Sequence, residues 1–300
     1  MFNGILNVYK EAGFTSNDVV AKLRGILRQR KIGHTGTLDP AAVGVLPVLL
    51  GSATRLSEFM TNHDKTYRAV LRLGVETDTE DMTGTILKES DPSGVTEEEV
   101  RAAAGSFAGG YDQIPPMYSA KQVGGKRLYD LAREGKVIER KPVHVDIPKI
   151  VVEEMSLPFV TFTVECSKGT YIRTLCADIG RKLGCGGAMD RLTRLRVGGF
   201  HIEDALPLSK IQELTDKGEI GPYIIPCEEM FLDYLRVRVT EEADKKLYNG
   251  NELFMQELGL PVRGAGEMVR VCDSAGSFVA IYRYAEKAGT YRPYRMLLPL

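Results

Sequence analysis

The sequence predicts an α+β protein: a large unit on a largely antiparallel central sheet, followed by a small β-rich unit. Three observations predict it. First, two runs alternate apolar and polar residues with a period of two. Tyr67, Ala69, Leu71 and Leu73 alternate with Thr66, Arg68, Val70 and Arg72, and Val160, Phe162, Val164 and Cys166 alternate with Thr161, Thr163 and Glu165. Such runs read as half-buried strands. Second, helical segments fall between the strands without repeating as βαβ units, which disfavours a parallel doubly wound sheet. Third, the rhythm changes near residue 230, where short alternating segments begin.

In chain order, Ser16 is expected to cap a helix that carries Val19, Val20, Leu23, Ile26 and Leu27 on one face. Thr96 with Glu99 forms a capping box for a helix through Ala104, and a short helix over 126–134 stops at Gly135. The second alternating strand leads to Tyr171 and Arg173, after which Leu175, Ile179 and Leu183 continue at helical spacing. Past residue 230, Leu235, Val237 and Val239 suggest a strand, Thr240 caps a short helix through Tyr248, and Asn249-Gly250 ends it. Val269–Val271 and Phe278–Tyr282 bracket a polar turn, as a hairpin would. The expected division is therefore 1–229 and 230–300.

Composition is that of an ordinary globular chain: 300 residues, 43% apolar. No run of eighteen apolar residues occurs, and Met1-Phe2-Asn3-Gly4-Ile5 lacks the regions of a signal peptide. The five cysteines form no C-x-x-C pair and the four histidines are scattered, so neither a zinc site nor a disulfide framework is indicated. A cytoplasmic chain with reduced thiols is the expectation. Net charge is −1, yet the cations cluster. Residues 22–31 hold Lys22, Arg24, Arg28, Arg30 and Lys31 without an acid, and 181–196 hold Arg181, Lys182, Arg191, Arg194 and Arg196 against Asp190. Two such clusters favour a polyanionic partner, because phosphate neutralisation supplies most nucleic-acid affinity.

The segment Gly33-His34-Thr35-Gly36-Thr37-Leu38-Asp39-Pro40-Ala41-Ala42-Val43-Gly44-Val45-Leu46-Pro47-Val48 is the most informative. Asp39 is the sole acid between Asp18 and Glu58, and three glycines with two prolines in sixteen residues turn and stiffen its surroundings. An isolated Asp-Pro is usually turn chemistry. This string, however, closely resembles the catalytic motif of the TruB family of tRNA pseudouridine synthases. Four further blocks follow in family order: Lys65-Thr66-Tyr67 with Leu73 to Asp81; Pro115 to Lys121 with Gly125 to Tyr129; Ser167-Lys168-Gly169-Thr170-Tyr171-Ile172-Arg173-Thr174-Leu175; and Arg191 to Arg196. The resemblance spans residues 4 to about 200.

The resemblance implies isomerisation of uridine to pseudouridine at position 55 in the tRNA T loop. It places Asp39 as catalytic carboxylate, Arg173 as its partner, and Tyr67 as the ring that stacks on the target base and takes part in proton transfer. His34 would occupy the space left by the flipped base, Tyr171 would position, Leu192 would line the base pocket, and Lys65 joins the substrate-binding set. A basic insertion over 116–143 would close over RNA, and 230–300 resembles the small PUA β-barrel of RNA-modifying enzymes. The implied partner is tRNA through its T arm, with no cofactor, metal, membrane or protein partner, and the chain acts as a monomer. Its length and blocks resemble bacterial members rather than guide-RNA-dependent relatives. The alternative is a non-catalytic RNA-binding or tRNA-folding protein on the same fold. A phosphate-cradling enzyme fits poorly, since the glycine-rich loop lacks a Gly-Lys-Ser/Thr ending.

Overall fold

Alternating burial along the strands builds the sheet that carries the site. A computed structural model describes residues 1–119, 121–136, 138–259 and 266–298, without the side chains of Val123 and Arg127. Ala120 of the third block and the Arg127 side chain of the basic insertion thus lie outside the described residues.

The main sheet comprises β1 (Gly4–Lys10), β2 (Ile32–His34), β3 (Val43–Leu50), β4 (Lys65–Leu73), β5 (Lys149–Ser156), β6 (Phe159–Cys166), β7 (Gly187–Val197), β8 (Phe200–His201) and β9 (Ile224–Ile225). Its order is β5-β6-β4-β7-β3-β1-β9, with β8 on β7 and β2 on β3. Only β7 and β3 run parallel. The class is α+β on a largely antiparallel sheet, as the two alternating runs required. In β4 the inward phase is Lys65, Tyr67, Ala69, Leu71 and Leu73, all buried.

Helices cover both faces. Helix α1 (Ser16–Ile26) and α5 (Leu208–Asp216) pack with Leu6, Val8, Leu46 and Val48 on one face. On the other, α2 (Glu97–Gly105) and α4 (Ile172–Lys182) pack with Tyr67, Leu71, Phe162 and Leu192. Helix α3 (Leu128–Arg133) heads a small separate cluster of Met117, Leu128 and Leu131 in the basic insertion. The insertion leaves and rejoins the body through paired strands Tyr111–Gln113 and Val143–Val145.

One cap differs from expectation. Thr15, not Ser16, caps α1: its hydroxyl accepts from the Asp18 amide at 3.1 Å and the Asp18 carboxylate accepts from the Thr15 amide at 2.8 Å. An acid three residues after the cap completes the reciprocal box, which Ser16 could not do with Val19. The Ser16 hydroxyl is thereby free for another task.

The C-terminal sheet has five strands, β10 (Leu235–Arg238), β11 (Leu253–Phe254), β12 (Met268–Cys272), β13 (Phe278–Ala285) and β14 (Thr290–Met296), in the order β10-β12-β13-β14-β11. It has a core of its own around Val237, Val269, Tyr282 and Tyr291. A further core joins it to the main sheet, with Ile281 and Leu297 packed among Ile5, Val45, Leu49, Leu56 and Phe231. Ending the chain near residue 230 would open that shared core, so point substitutions test the C-terminal sheet more cleanly than truncation.

Candidate active site

Asp39 lies in the loop between β2 and β3, and three buried polar side chains hold that loop. Lys10, at the end of β1, donates from Nζ to the carbonyls of Glu11 (3.1 Å), Pro40 (3.1 Å) and Ala42 (2.6 Å). Burial pulls its ammonium down to about 8, while the charge of Asp39 works in the opposite direction. The freed Ser16 hydroxyl accepts from the Leu38 amide at 2.9 Å. Arg194, fully buried in β7, donates to the carbonyls of Val45 (2.7 Å), Gly36 (3.3 Å) and Thr37 (3.5 Å). Gly44 permits this approach. Its φ is +107°, and a Cβ there would lie 2.2 Å from the Arg194 carbonyl oxygen.

Arg173 meets the loop from the second position of α4. A cation there opposes the helix dipole, and carboxylates offset it. Its Nε lies 3.0 Å from Asp39 Oδ2 and 3.8 Å from Asp81 Oδ2, Nη1 donates to the Thr79 carbonyl at 3.1 Å, and Nη2 donates to the Tyr118 carbonyl at 2.9 Å. The Arg173 side chain is 7% exposed and the Asp39 side chain 40% exposed. The guanidinium is thus fixed and desolvated, while the carboxylate keeps an open side. Asp81 is itself held by Thr79 Oγ1 (2.8 Å), the Thr83 amide (2.9 Å) and Thr83 Oγ1 (2.6 Å).

A cavity of about 430 Å³ opens in front of Asp39, walled by Tyr67, Leu192, Tyr171, Lys65 and Arg173. Tyr67 and Arg194 are direct cross-strand partners on β4 and β7. Burial raises the Tyr67 phenol above its ordinary range, against the opposing pull and hydrogen bond of Arg194. Tyr171 precedes α4, and buried Gln113 holds its backbone: the Tyr171 amide donates to Gln113 Oε1 (2.8 Å) and Gln113 Nε2 donates to the Tyr171 carbonyl (3.0 Å). Six of the seven sequence-derived site residues therefore converge on one cavity. His34 does not line it. It sits in β2 opposite Val48, and burial holds its imidazole below the usual range.

Lys65 occupies an inward strand position, donating to the carbonyls of His63 (2.6 Å) and Thr61 (3.1 Å). Burial, aided by Arg194, brings its ammonium down to about 8. Below that pH the folded protein presents a cation to the cavity; above it the amine is neutral. RNA binding should therefore weaken by roughly tenfold as pH rises through this value, the size of one charge-assisted contact. Lys65→Met should bind weakly on both sides of it. Dissociation constants of a T-arm hairpin at pH 7 and 9 check this, and a parent-like pH dependence in Lys65→Met would refute it.

The basic clusters divide. Lys22, Arg24, Arg28 and Arg30 are exposed. In the second cluster, however, Arg194 is interior, Arg181 pairs with Asp178, and Arg196 donates to Thr66 Oγ1 (3.1 Å) and the Gly198 carbonyl (3.0 Å). Much of that charge is therefore committed to partners within the protein, although Arg181 stays exposed. Sequence reasoning missed Lys10, Ser16 and Gln113, and assigned Arg194 to the surface. For Lys10 a signal existed, a cation closing a strand that is apolar apart from Asn7; Gln113 had none.

With this geometry in place, the chain was compared with known proteins. The family described as "TruB family pseudouridylate synthase (N terminal domain)" matches residues 24–172, and "tRNA pseudouridylate synthase B C-terminal domain" matches 173–232. A protein of Lachnoclostridium phytofermentans named tRNA pseudouridine synthase B is 48% identical, over 99% of this chain and 100% of the relative. One of the same name from Dehalococcoides mccartyi is 40% identical, over 99% of this chain and 97% of the relative. Among solved structures, one in a Cbf5-Nop10-Gar1 complex superposes with a TM-score of 0.73 at 25% identity, covering 99% of this chain and 85% of that one.

Proposed function

The chain belongs to the TruB family of pseudouridylate synthases, and from that premise we propose that it isomerises the T-loop uridine at position 55 of tRNA, with Asp39 as the catalytic carboxylate. The observation that carries this reading is the pairing of a half-exposed Asp39 with a desolvated Arg173 in the wall of a half-open cavity. A purely RNA-binding protein has no use for that arrangement.

The reaction breaks the bond from ribose C1′ to N1, rotates the base, and joins C1′ to C5. The proton on C5 is lost and N1 ends protonated, so no redox partner is required. Asp39 stabilises or captures the electron-poor partner released by cleavage. Arg173 keeps it oriented. The Tyr67 ring and Leu192 hold the freed base against Asp39, and Lys65 and Tyr171 complete the wall. The base must leave its stack first, at a few kcal/mol, which basic and aromatic contacts offset. His34, neutral through burial, fills the vacated space in the RNA loop. The exposed cations of α1 and the following turn track phosphates, and residues 230–300 add RNA contacts as a PUA-like unit.

Among the described residues no helix is long and apolar enough to cross a membrane. Our reading is of a cytoplasmic monomer acting on the T arm of tRNA without a protein partner. The test is nucleoside analysis of a T-arm hairpin incubated with the protein. Pseudouridine at the position equivalent to 55 is expected, and unchanged uridine would reject the proposal.

A further inference from the structure

Outside the residues used so far, one polar group at the cavity lacks a partner. Ser119 is 5% exposed and borders the cavity, and its hydroxyl is closed to water with no hydrogen-bond partner. Buried hydroxyls are nearly always paired, so an orphan next to a site calls for an explanation. The backbone around it is pinned: the Ser119 amide donates to the Met117 carbonyl (2.9 Å), the Tyr129 amide donates to the Ser119 carbonyl (3.0 Å), and the preceding Tyr118 carbonyl accepts from Arg173 Nη2 (2.9 Å). The residue therefore sits on a fixed platform, one position from the carbonyl that holds Arg173, the partner of Asp39. Beside it, Tyr118 and Tyr129 also line the cavity, in an edge-to-face contact at 6.1 Å.

Resting on the function proposed above, we infer that Ser119 Oγ turns about its Cα–Cβ bond toward the cavity and donates a hydrogen bond to an oxygen of the extruded target nucleotide, and so helps to select and seat it. Donation follows from the company it keeps. Lys65 and Arg173 line the cavity with Asp39 as its single carboxylate, so away from Asp39 the atoms a ligand turns toward this wall are oxygens. The oxygen belongs either to a uracil carbonyl or to the ribose 2′-hydroxyl. Either would satisfy an acceptor-seeking hydroxyl that the protein itself leaves unpaired.

The inference has an unusual signature. Removing a hydroxyl that pairs with nothing in the free protein should not destabilise it, whereas removing one that pairs with substrate should slow conversion. Ser119→Ala in the full chain is expected to melt at or above the parent temperature. It should also lose about tenfold in single-turnover rate at saturating RNA or in hairpin affinity, equivalent to about 1.4 kcal/mol. Beside the uridine hairpin, three others identify the oxygen: 2′-deoxyuridine, 2-thiouridine and 4-thiouridine at the target position. On the RNA lacking the paired oxygen, parent and Ser119→Ala should agree within about twofold.

A fall in melting temperature would show that the hydroxyl pairs within the protein and would overturn the inference. So would unchanged rate and affinity on uridine, or an undiminished penalty on all three substituted RNAs. A parent that binds the hairpin without converting it would refute the proposed function alone, since the Ser119 comparison can still be read from affinity.

Discussion

Asp39→Asn is expected to reduce pseudouridine formation by at least about 10³-fold, a loss of roughly 4 kcal/mol of transition-state stabilisation. The substitution preserves volume and turn-forming capacity and removes one charge. The loop itself should persist. Its restraints come from Lys10, Ser16 and Arg194 acting on backbone groups of neighbouring residues, and none of them requires the Asp39 carboxylate. Arg173 likewise keeps its carbonyl acceptors at Thr79 and Tyr118 and its neighbour Asp81. Denaturation midpoints should change by no more than about 1–2 kcal/mol in stability, since Asp39 is partly exposed and its ion pair is screened. Hairpin affinity should stay within about tenfold. Single-turnover assays with nucleoside analysis decide it: a rate within a few-fold of the parent would remove Asp39 from the chemistry and leave it a turn residue.

Arg194→Met should lower both stability and activity. The guanidinium is fully buried and bonds to three carbonyls of the Asp39 loop and β3, so methionine leaves several buried acceptors unpaired, each worth about 1–3 kcal/mol. Relief from desolvating a charge offsets part of this, and a net loss of roughly 3 kcal/mol is expected. Activity should fall by about 10²-fold in the fraction that stays folded, because a carboxylate displaced by about 1 Å loses that much. Chemical denaturation and single-turnover kinetics on the folded protein measure the two effects separately. Parent-like values in both would mean that the Asp39 loop holds its shape without Arg194.

Legibility in the sequence followed the range of the interactions. The strands of Tyr67 and Phe162 could be read because a half-buried strand repeats every two residues. The α2 cap could be read because Thr96 and Glu99 are three residues apart and bond directly. The α1 cap was displaced by one residue, since Thr15 and Ser16 offer the same hydroxyl and only the partner at Asp18 distinguishes them. The parallel pairing of β7 with β3 has no local signature, and it is that pairing which sets Arg194 against Gly44.

Local sequence thus determined the alternating strands, the stiffened turn that carries Asp39, and the cation at the start of α4. The family resemblance named six residues that share one cavity. Tertiary structure alone decided which cations stay exposed and which serve the interior. Arg28 and Arg194 are equivalent as residue types, yet one ends exposed beyond a helix and the other sits between two strands with its donors on backbone carbonyls. The reason is physical. A charged side chain is stable inside a protein only where acceptors converge on it, and for Arg194 in β7 that convergence is assembled from β3 and the Asp39 loop, 149 to 158 residues away in the chain.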